Sequence, residues 1–202
     1  MIDGGQTGPL VSPLGFPKVS GRFYVPFGSN VSVNLALGAA NRHYAVPFWN
    51  SHTATAINLS FNIGTGIVGA WNARCGIYTD LNGVPSTLVA RSDTLIAVAG
   101  GSTTGAQTGS INSGTGVQLG GGAWYWLTFV ADTSGQSLLS VNWAAAALMT
   151  STLLGGATAT QAFAGTGTGG VFAALAFGAL PASFGAVTYN NNAGAPNIAV
   201  GF

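Results

Sequence analysis

The sequence predicts an all-β domain, either a sandwich or a barrel, that follows an extended N-terminal arm. Short segments in which apolar and polar residues alternate recur along the chain, and turn-forming residues, among them 32 glycines, separate these segments. Many short strands with Gly-rich turns and little helix are typical of sandwiches and barrels. A length of 202 residues suits one such domain. We therefore divide the chain into an arm at 1–21 and a β-domain at 22–202.

The arm has no hydrophobic period and is rich in Gly and Pro. Such a segment cannot form a helix or a central strand, because Pro lacks the backbone N–H that both structures need. Its apolar residues indicate that the arm docks on a partner rather than staying in solvent. The predicted anchor residues are Leu10, Val11, Leu14 and Phe16.

Clear strand signals begin after the arm. Residues 31–37 and 57–63 alternate apolar with polar side chains, which indicates strands with one buried face. Residues 42–49 are another strand candidate, in which Pro47 suggests a sheet edge or a bulge.

The next segment predicts a hairpin. Alternation over 73–78 places Cys75 on the buried face, where it acts as a small hydrophobic residue. The turn that follows contains Asn82-Gly83, and Asn-Gly is the strongest short turn signal. Residues 85–99 then resume apolar, β-branched character.

In the second half of the chain, residues 123–130 are apolar at both sets of alternating positions, so we predict a central strand covered on both faces. Residues 143–154 contain four consecutive alanines, which favour a short helix. The remaining predicted elements are long loops at 100–122 and 185–195, a short strand near 117–119 within the first of them, a strand at 137–143, a loop at 165–170, and closing strands at 171–177 and 197–202.

The near-absence of charge is the outlying feature of the composition. The chain has five Lys and Arg, four Asp and no Glu, which is 4% of its residues against a usual share of about a quarter. A net charge of +1 gives no electrostatic footprint for nucleic acid or an anionic membrane. The longest apolar run, 143–149, is too short for a membrane-spanning helix. Since a monomer with so few charges has little colloidal protection, we predict a homo-oligomer that buries much of its surface.

No set of residues in the sequence points to catalysis, a cofactor or a metal. A glycosidase normally needs two carboxyl groups at a controlled separation, and nothing in the spacing of the four Asp pairs them. His43 and His52 accompany no G-x-S-x-G nucleophile motif. The turn at Asp80 lacks the later ligands of a calcium loop, and one cysteine cannot form an intrachain disulfide or a Cys-based zinc site. We therefore predict a protein that is not an enzyme.

Aromatic and amide side chains are the remaining candidates for ligand contact. A tryptophan ring offers a flat apolar face that suits a sugar ring, although most aromatic residues of a β-sandwich belong to its core. Amide side chains in the 185–195 segment are further candidates because loops often carry recognition. The candidate glycan or receptor contacts are Trp49, Trp71, Trp143, Asn190, Asn191 and Asn192.

Several motifs in order along 21–202 resemble a jelly-roll-like antiparallel β-sandwich module of tailed-bacteriophage structural proteins. This module occurs in tail fibres, minor tail proteins and other virion appendages. The motifs are Gly21-Arg22-Phe23-Tyr24-Val25-Pro26, Asn41-Arg42-His43-Tyr44-Ala45-Val46-Pro47-Phe48, Ala73-Arg74-Cys75-Gly76-Ile77-Tyr78-Thr79-Asp80 with Gly83 and Pro85-Ser86, Trp124-Tyr125-Trp126-Leu127, and Gly178-Ala179-Leu180-Pro181-Ala182-Ser183-Phe184.

The resemblance implies a virion component, a homotrimer made in the bacterial host cytoplasm and displayed outward on the particle. It brings no catalytic residues. In longer relatives the module follows a stalk, whereas here a short arm precedes it, which favours attachment to other virion proteins through residues 1–21.

Three functions remain open at this point. The first is a tail-fibre or tail-tip component that contacts a host-surface glycan. The second is a capsid decoration or head-fibre protein anchored by the arm. The third, from a different class, is a polysaccharide hydrolase.

Overall fold

The computed structural model describes residues 17–26, 31–36, 40–64, 69–100, 104–133, 137–141, 168–191 and 196–202. Within these ranges the chain forms fifteen β-strands and one short 3-10 helix at Asn112–Gly114, which confirms the all-β prediction. The strands are β1 (Phe23–Tyr24), β2 (Val31–Ala36), β3 (Arg42–Asn50), β4 (Ala54–Ala56), β5 (Asn58–Ile63), β6 (Trp71–Leu81), β7 (Val84–Arg91), β8 (Ile96–Val98), β9 (Gly105–Ser110), β10 (Val117–Leu119), β11 (Ala123–Ala131), β12 (Ser137–Val141), β13 (Thr168–Ala174), β14 (Thr188–Asn191) and β15 (Ile198–Gly201).

Two antiparallel sheets form a sandwich with jelly-roll connectivity. Sheet A has the order β1-β15-β5-β12-β2, with β9 also paired to β5, and sheet B has the order β14-β13-β3-β11-β6-β7, with β8 also paired to β6. When β2, β3, β5, β6, β7, β9, β11 and β12 are numbered one to eight, the sheets contain the orders 1-8-3-6 and 2-7-4-5. These are the two four-stranded sheets of a jelly roll.

The later strands extend this framework. β13 and β14 add to sheet B beyond β3. β9 pairs with β5 over residues 58–63, so the other edge of β5 is shared by β15, at 58–61, and β12, at Ile63. Strand β1 then pairs with β15.

The core lies between the inner faces of the two sheets. Phe61 of sheet A and Phe129 of sheet B meet with ring centroids 5.0 Å apart, and Trp71 packs against both. Each fully buried side chain of this size contributes roughly 1.5–3 kcal/mol to stability. Cys75 is buried among them, as predicted, and burial raises the pKa of its thiol.

The β6–β7 hairpin confirms the turn prediction. Its two loop residues, Asn82 and Gly83, both have positive φ, at 55° and 81°. This is the type I′ geometry that Asn-Gly favours, because its twist matches that of the flanking strands. Next to this turn Leu81 pairs with Val84 and Asp80 pairs with Pro85.

From Trp126 onward, strand β11 is buried on both faces, as its sequence predicts, whereas residues 123–125 are partly exposed. Leu127 and Phe129 face the core, whereas Trp126, Thr128 and Val130 alternate with them and are at most 1% exposed. Residues 180–184, which we call the cover segment, cover the outer face of the sheet at Trp126.

The cover segment is held by β7 and by sheet B. Leu88 N–H donates to the Ala182 carbonyl at 2.8 Å, and Phe184 N–H donates to the Ser86 carbonyl at 2.9 Å. Phe184 is buried in one cluster with Tyr78 and Trp126. The two-sided apolar character of β11 is therefore satisfied within one chain and needs no second protomer.

Two predicted loops contain strands. The 100–122 segment is predicted to be a loop, but it contains β9. The short strand predicted at 117–119 within it is confirmed as β10. The sequence of β9 has no apolar alternation that would predict a strand. The strand forms through its backbone ladder to β5. The predicted 185–195 loop contains β14, and β13 begins at Thr168, inside the predicted 165–170 loop. The predicted helix at 143–154 lies outside the described residues.

Residues 17–21 are the described part of the predicted arm, and they contact the sandwich. Val19 N–H donates to the Tyr24 hydroxyl at 2.9 Å. Lys18 Nζ lies 4.4 Å from the centroid of the Tyr24 ring and 5.3 Å from that of Phe48. The predicted anchor residues lie outside the described part of the chain: Leu10, Val11, Leu14 and Phe16.

His43 is buried under the cover segment. Its ring centroid is 4.4 Å from that of Phe184 and 5.5 Å from that of Tyr78, and neither ring nitrogen has a hydrogen-bond partner among the described residues. Burial lowers the pKa of His43 to about 3. The imidazole is therefore neutral at neutral pH and packs as an aromatic ring.

Replacing this histidine changes how stability depends on pH. Because the pKa of His43 falls from 6.5 in the unfolded chain to about 3 in the fold, the unfolded chain binds the extra proton between these values, and stability is lost as the pH falls through them. Between pH 7 and pH 3, urea unfolding of the wild type should lose roughly 4 kcal/mol more than that of His43→Leu. His52→Leu is the control and should follow the wild type. Parallel curves for wild type and His43→Leu would contradict the buried neutral state.

Candidate ligand-binding surface

The three acids in the described ranges serve structural roles. Asp132 accepts hydrogen bonds from the backbone N–H and the side-chain amide of Asn72, at 3.0 and 2.8 Å. Asp93 Oδ2 accepts from Ser110 Oγ and Ser113 N–H at 3.2 and 2.6 Å. Each carboxylate thus ties one strand or turn to another.

Asp80 and Asp132, the two acids next to β6, are too far apart to act as a hydrolytic pair. Asp132 binds Asn72 at the start of β6, and Asp80 lies eight residues further along the same strand, a path of about 26 Å. Paired glycosidase carboxyls lie roughly 5–10 Å apart. Among the described residues, no group of three or more His, Cys, Asp or Glu side chains comes together that could hold a metal ion.

The predicted contact residues lie in different environments. Trp71 is 2% exposed and packs in the core, so it cannot stack on a ligand, which corrects the expectation for this residue. Asn190 and Asn191 belong to β14, and only the backbone of these two residues is described. Trp143 and Asn192 lie outside the described residues. Trp49 alone of this set has a described position at the surface.

Trp49 lies in a row of side chains across one end of sheet B, on its outer face. Trp49 of β3 is directly opposite Trp124 of β11. Tyr125 pairs with Thr79 of β6, so the next position places Trp124 beside Asp80. We call Trp49, Trp124 and Asp80 the end row. All three are partly exposed.

The two indoles form a tilted pair. Their ring centroids are 5.2 Å apart and their planes meet at 54°. Trp49 Nε1 is buried without a hydrogen-bond partner among the described residues. The exposed part of Trp49 is therefore ring carbon, which gives the row an apolar surface rather than a hydrogen-bond donor.

Hydrogen bonds orient the carboxylate of Asp80. Oδ1 accepts from Trp126 Nε1 at 2.8 Å, and Oδ2 accepts from Gly83 N–H at 3.2 Å. An ionised carboxylate offers about four acceptor sites, so these two bonds leave acceptor capacity on both oxygens. The row thus combines two indole faces with an anionic acceptor.

The turn before β11 braces the end row from behind. Asn50, next to Trp49, donates from Nδ2 to the carbonyls of Leu119 and Gly120 at 3.3 and 2.9 Å. Gly120 N–H donates to the Tyr125 hydroxyl at 2.9 Å, beside Trp124. These bonds fix the ends of β3 and β11 that carry the two indoles.

The cover segment ends the exposed surface on one side. The neighbouring outer positions, Tyr78 and Trp126, are buried, and the Tyr78 hydroxyl donates to the Pro181 carbonyl at 2.8 Å. The end row is therefore a partly exposed strip of surface between the covered part of sheet B and the end of the sandwich. It can stack on a flat ligand and accept hydrogen bonds from it.

Sequence reasoning found Trp49 but missed Trp124 and Asp80. The sequence places Trp124 in a strand covered on both faces and Asp80 in a turn, so neither is among the predicted contact residues. The feature that brings them together is the register of β11 against its two neighbours, β3 and β6.

No family model matches this chain, and no curated protein resembles it significantly. In the described part of the chain, no helix has the length and apolarity that a membrane crossing requires. The function is therefore inferred from the residues and their arrangement.

The brace behind the end row depends on Gly121. A Cβ on Gly121 would lie 2.6 Å from the backbone nitrogen of Thr53, whereas one on Gly120 would meet only the Tyr125 hydroxyl, at 3.5 Å. We expect Gly121→Ala to lower the free energy of unfolding by roughly 1–3 kcal/mol, because backbone must shift. Gly120→Ala, the neighbouring control, should change it by less than about 0.5 kcal/mol. Equal effects in urea unfolding would contradict this packing.

Proposed function

We propose that this chain is a non-enzymatic structural protein of a tailed-phage virion, a tail-fibre or tail-tip component displayed toward the host surface. The observation that carries the proposal is a jelly-roll sandwich with almost no charge, in which the described carboxylates hold strands and turns together.

The use of the acids argues against hydrolysis. Asp80 and Asp132 lie at opposite ends of β6, and Asp93 is engaged by Ser110 and Ser113. His43 is buried and neutral, so it is not available as a base at the surface. The stacking and hydrogen bonding that the end row offers suit a binding or assembly protein.

The architecture supports a virion role. Jelly rolls recur in viral capsid and lectin domains. Most of the motifs that resemble the phage module fall in one spatial unit: residues 42–48 are in β3, 73–80 in β6, 124–127 in β11, and 180–184 form the cover segment. The resemblance therefore follows sheet B and its cover, which a shared module would preserve.

The arm supports attachment to a larger particle. Residues 17–21 meet the sandwich next to β1 through Lys18 and Val19, so residues before them start from a fixed point on the domain. An arm that joins the module to other virion proteins fits both a tail position and the alternative, a capsid decoration or head-fibre protein.

The first test locates the protein on the particle. Antibodies to the purified domain, used in immuno-electron microscopy of phage particles whose genome encodes this chain, should label the tail tip or fibres. Label on the head would replace the tail assignment with the capsid alternative. Intact particles that carry none of the protein would overturn the virion proposal.

The second test measures assembly. The chain has a mass of 20.1 kDa, and sedimentation equilibrium should give about three times this value, since we propose a homotrimer that buries part of its weakly charged surface. Raising the salt concentration should leave the assembly intact, because few charges are present to be screened. A single monomeric species at micromolar concentration would contradict the proposal of an oligomer.

A further inference from the structure

We infer that the end row, Trp49, Trp124 and Asp80, binds a neutral hexopyranose ring. The biological setting, a glycan on the host surface, rests on the proposed function, whereas the binding itself rests on the geometry of these residues.

The indoles provide the stacking surface. A pyranose ring has one face made largely of C–H groups, and this face packs on the flat apolar surface of an aromatic ring. Trp49 and Trp124 are partly exposed and 5.2 Å apart between centroids. Since the Trp49 nitrogen is buried, the ligand meets ring carbon there, as stacking requires.

The carboxylate provides the polar contact. Sugar hydroxyls are donors, and the free acceptor sites of Asp80 lie beside Trp124 on the next strand, about 5 Å away. Trp126 and Gly83 hold the carboxylate in place, so little side-chain freedom is lost when a hydroxyl binds. Its negative charge disfavours acidic sugars, which selects neutral ones.

The size of the row also points to a sugar. The end row crosses three adjacent strands, a width of about 10 Å, which matches one or two sugar rings. A stable protein interface needs roughly 800 Å² on each partner, far more than two partly exposed indoles and one carboxylate provide. The cover segment limits the row on one side and the braced turn at 119–122 fixes its base.

The experiment titrates the full chain with neutral oligosaccharides of glucose, galactose and mannose, and follows tryptophan fluorescence together with calorimetry. At least one of these sugars should bind in a saturable manner. Trp124→Ala should weaken that binding roughly tenfold, because the apolar contact area of one ring is removed. Asp80→Asn should weaken it roughly threefold, since a charged acceptor becomes neutral.

Two further variants separate binding from folding. Trp124→Phe keeps a ring face and should retain most of the affinity that Trp124→Ala loses. Phe23→Ala removes an aromatic side chain that is 50% exposed on sheet A, the sheet that does not carry the end row, and should bind like the wild type. Thermal unfolding of each variant shows whether it is folded.

The inference is overturned by any of three results: no neutral hexopyranose binds, Trp124→Ala binds as tightly as the wild type in a folded state, or acidic sugars bind better than neutral ones. The purified chain is used throughout, so the outcome does not depend on where the protein sits in a particle. Labelled virions without sugar binding would refute the inference alone, and sugar binding without labelled virions would refute the proposed function alone.

Discussion

The burial of β11 on both faces is the constraint on which the rest of the structure depends. One set of its side chains, including Leu127 and Phe129, joins sheet B to sheet A across the core, and the other set, including Trp126, must be shielded from water on the outside. The cover segment provides that shield and ties residues late in the chain to β7. Beyond it, at the end of the sheet, Trp49 and Trp124 stand beside Asp80 and are partly exposed.

The low charge of the chain has two sources in this arrangement. The outer face of sheet B is covered around Trp126, so charged residues have little place there. The described carboxylates are used as acceptors for backbone and indole N–H groups, as Asp132 is for Asn72 and Asp80 for Trp126. A surface with few charges, two indoles and one fixed anionic acceptor is suited to uncharged partners.

Much of the fold could be predicted from local patterns, and most of the site could not. Alternation located β5, and Asn82-Gly83 located a hairpin, because both signals act over a few residues. Strand β9 could not be predicted because its small residues show no alternating pattern, and its strand conformation depends on the long-range pairing with β5. Trp49 and Trp71 look alike in sequence, and only the long-range packing of Trp71 against Phe61 and Phe129 distinguishes a core ring from a surface ring.

The shared edge of β5 has a consequence for the order of folding. Strand β12 and strand β15 occupy the same side of β5, and β15 takes residues 58–61. During synthesis β12 emerges first, while most of this edge of β5 still lacks its final partner. Sheet A therefore cannot reach its final strand order until residues 198–201 have left the ribosome, and the module completes its fold after translation of this region rather than during it.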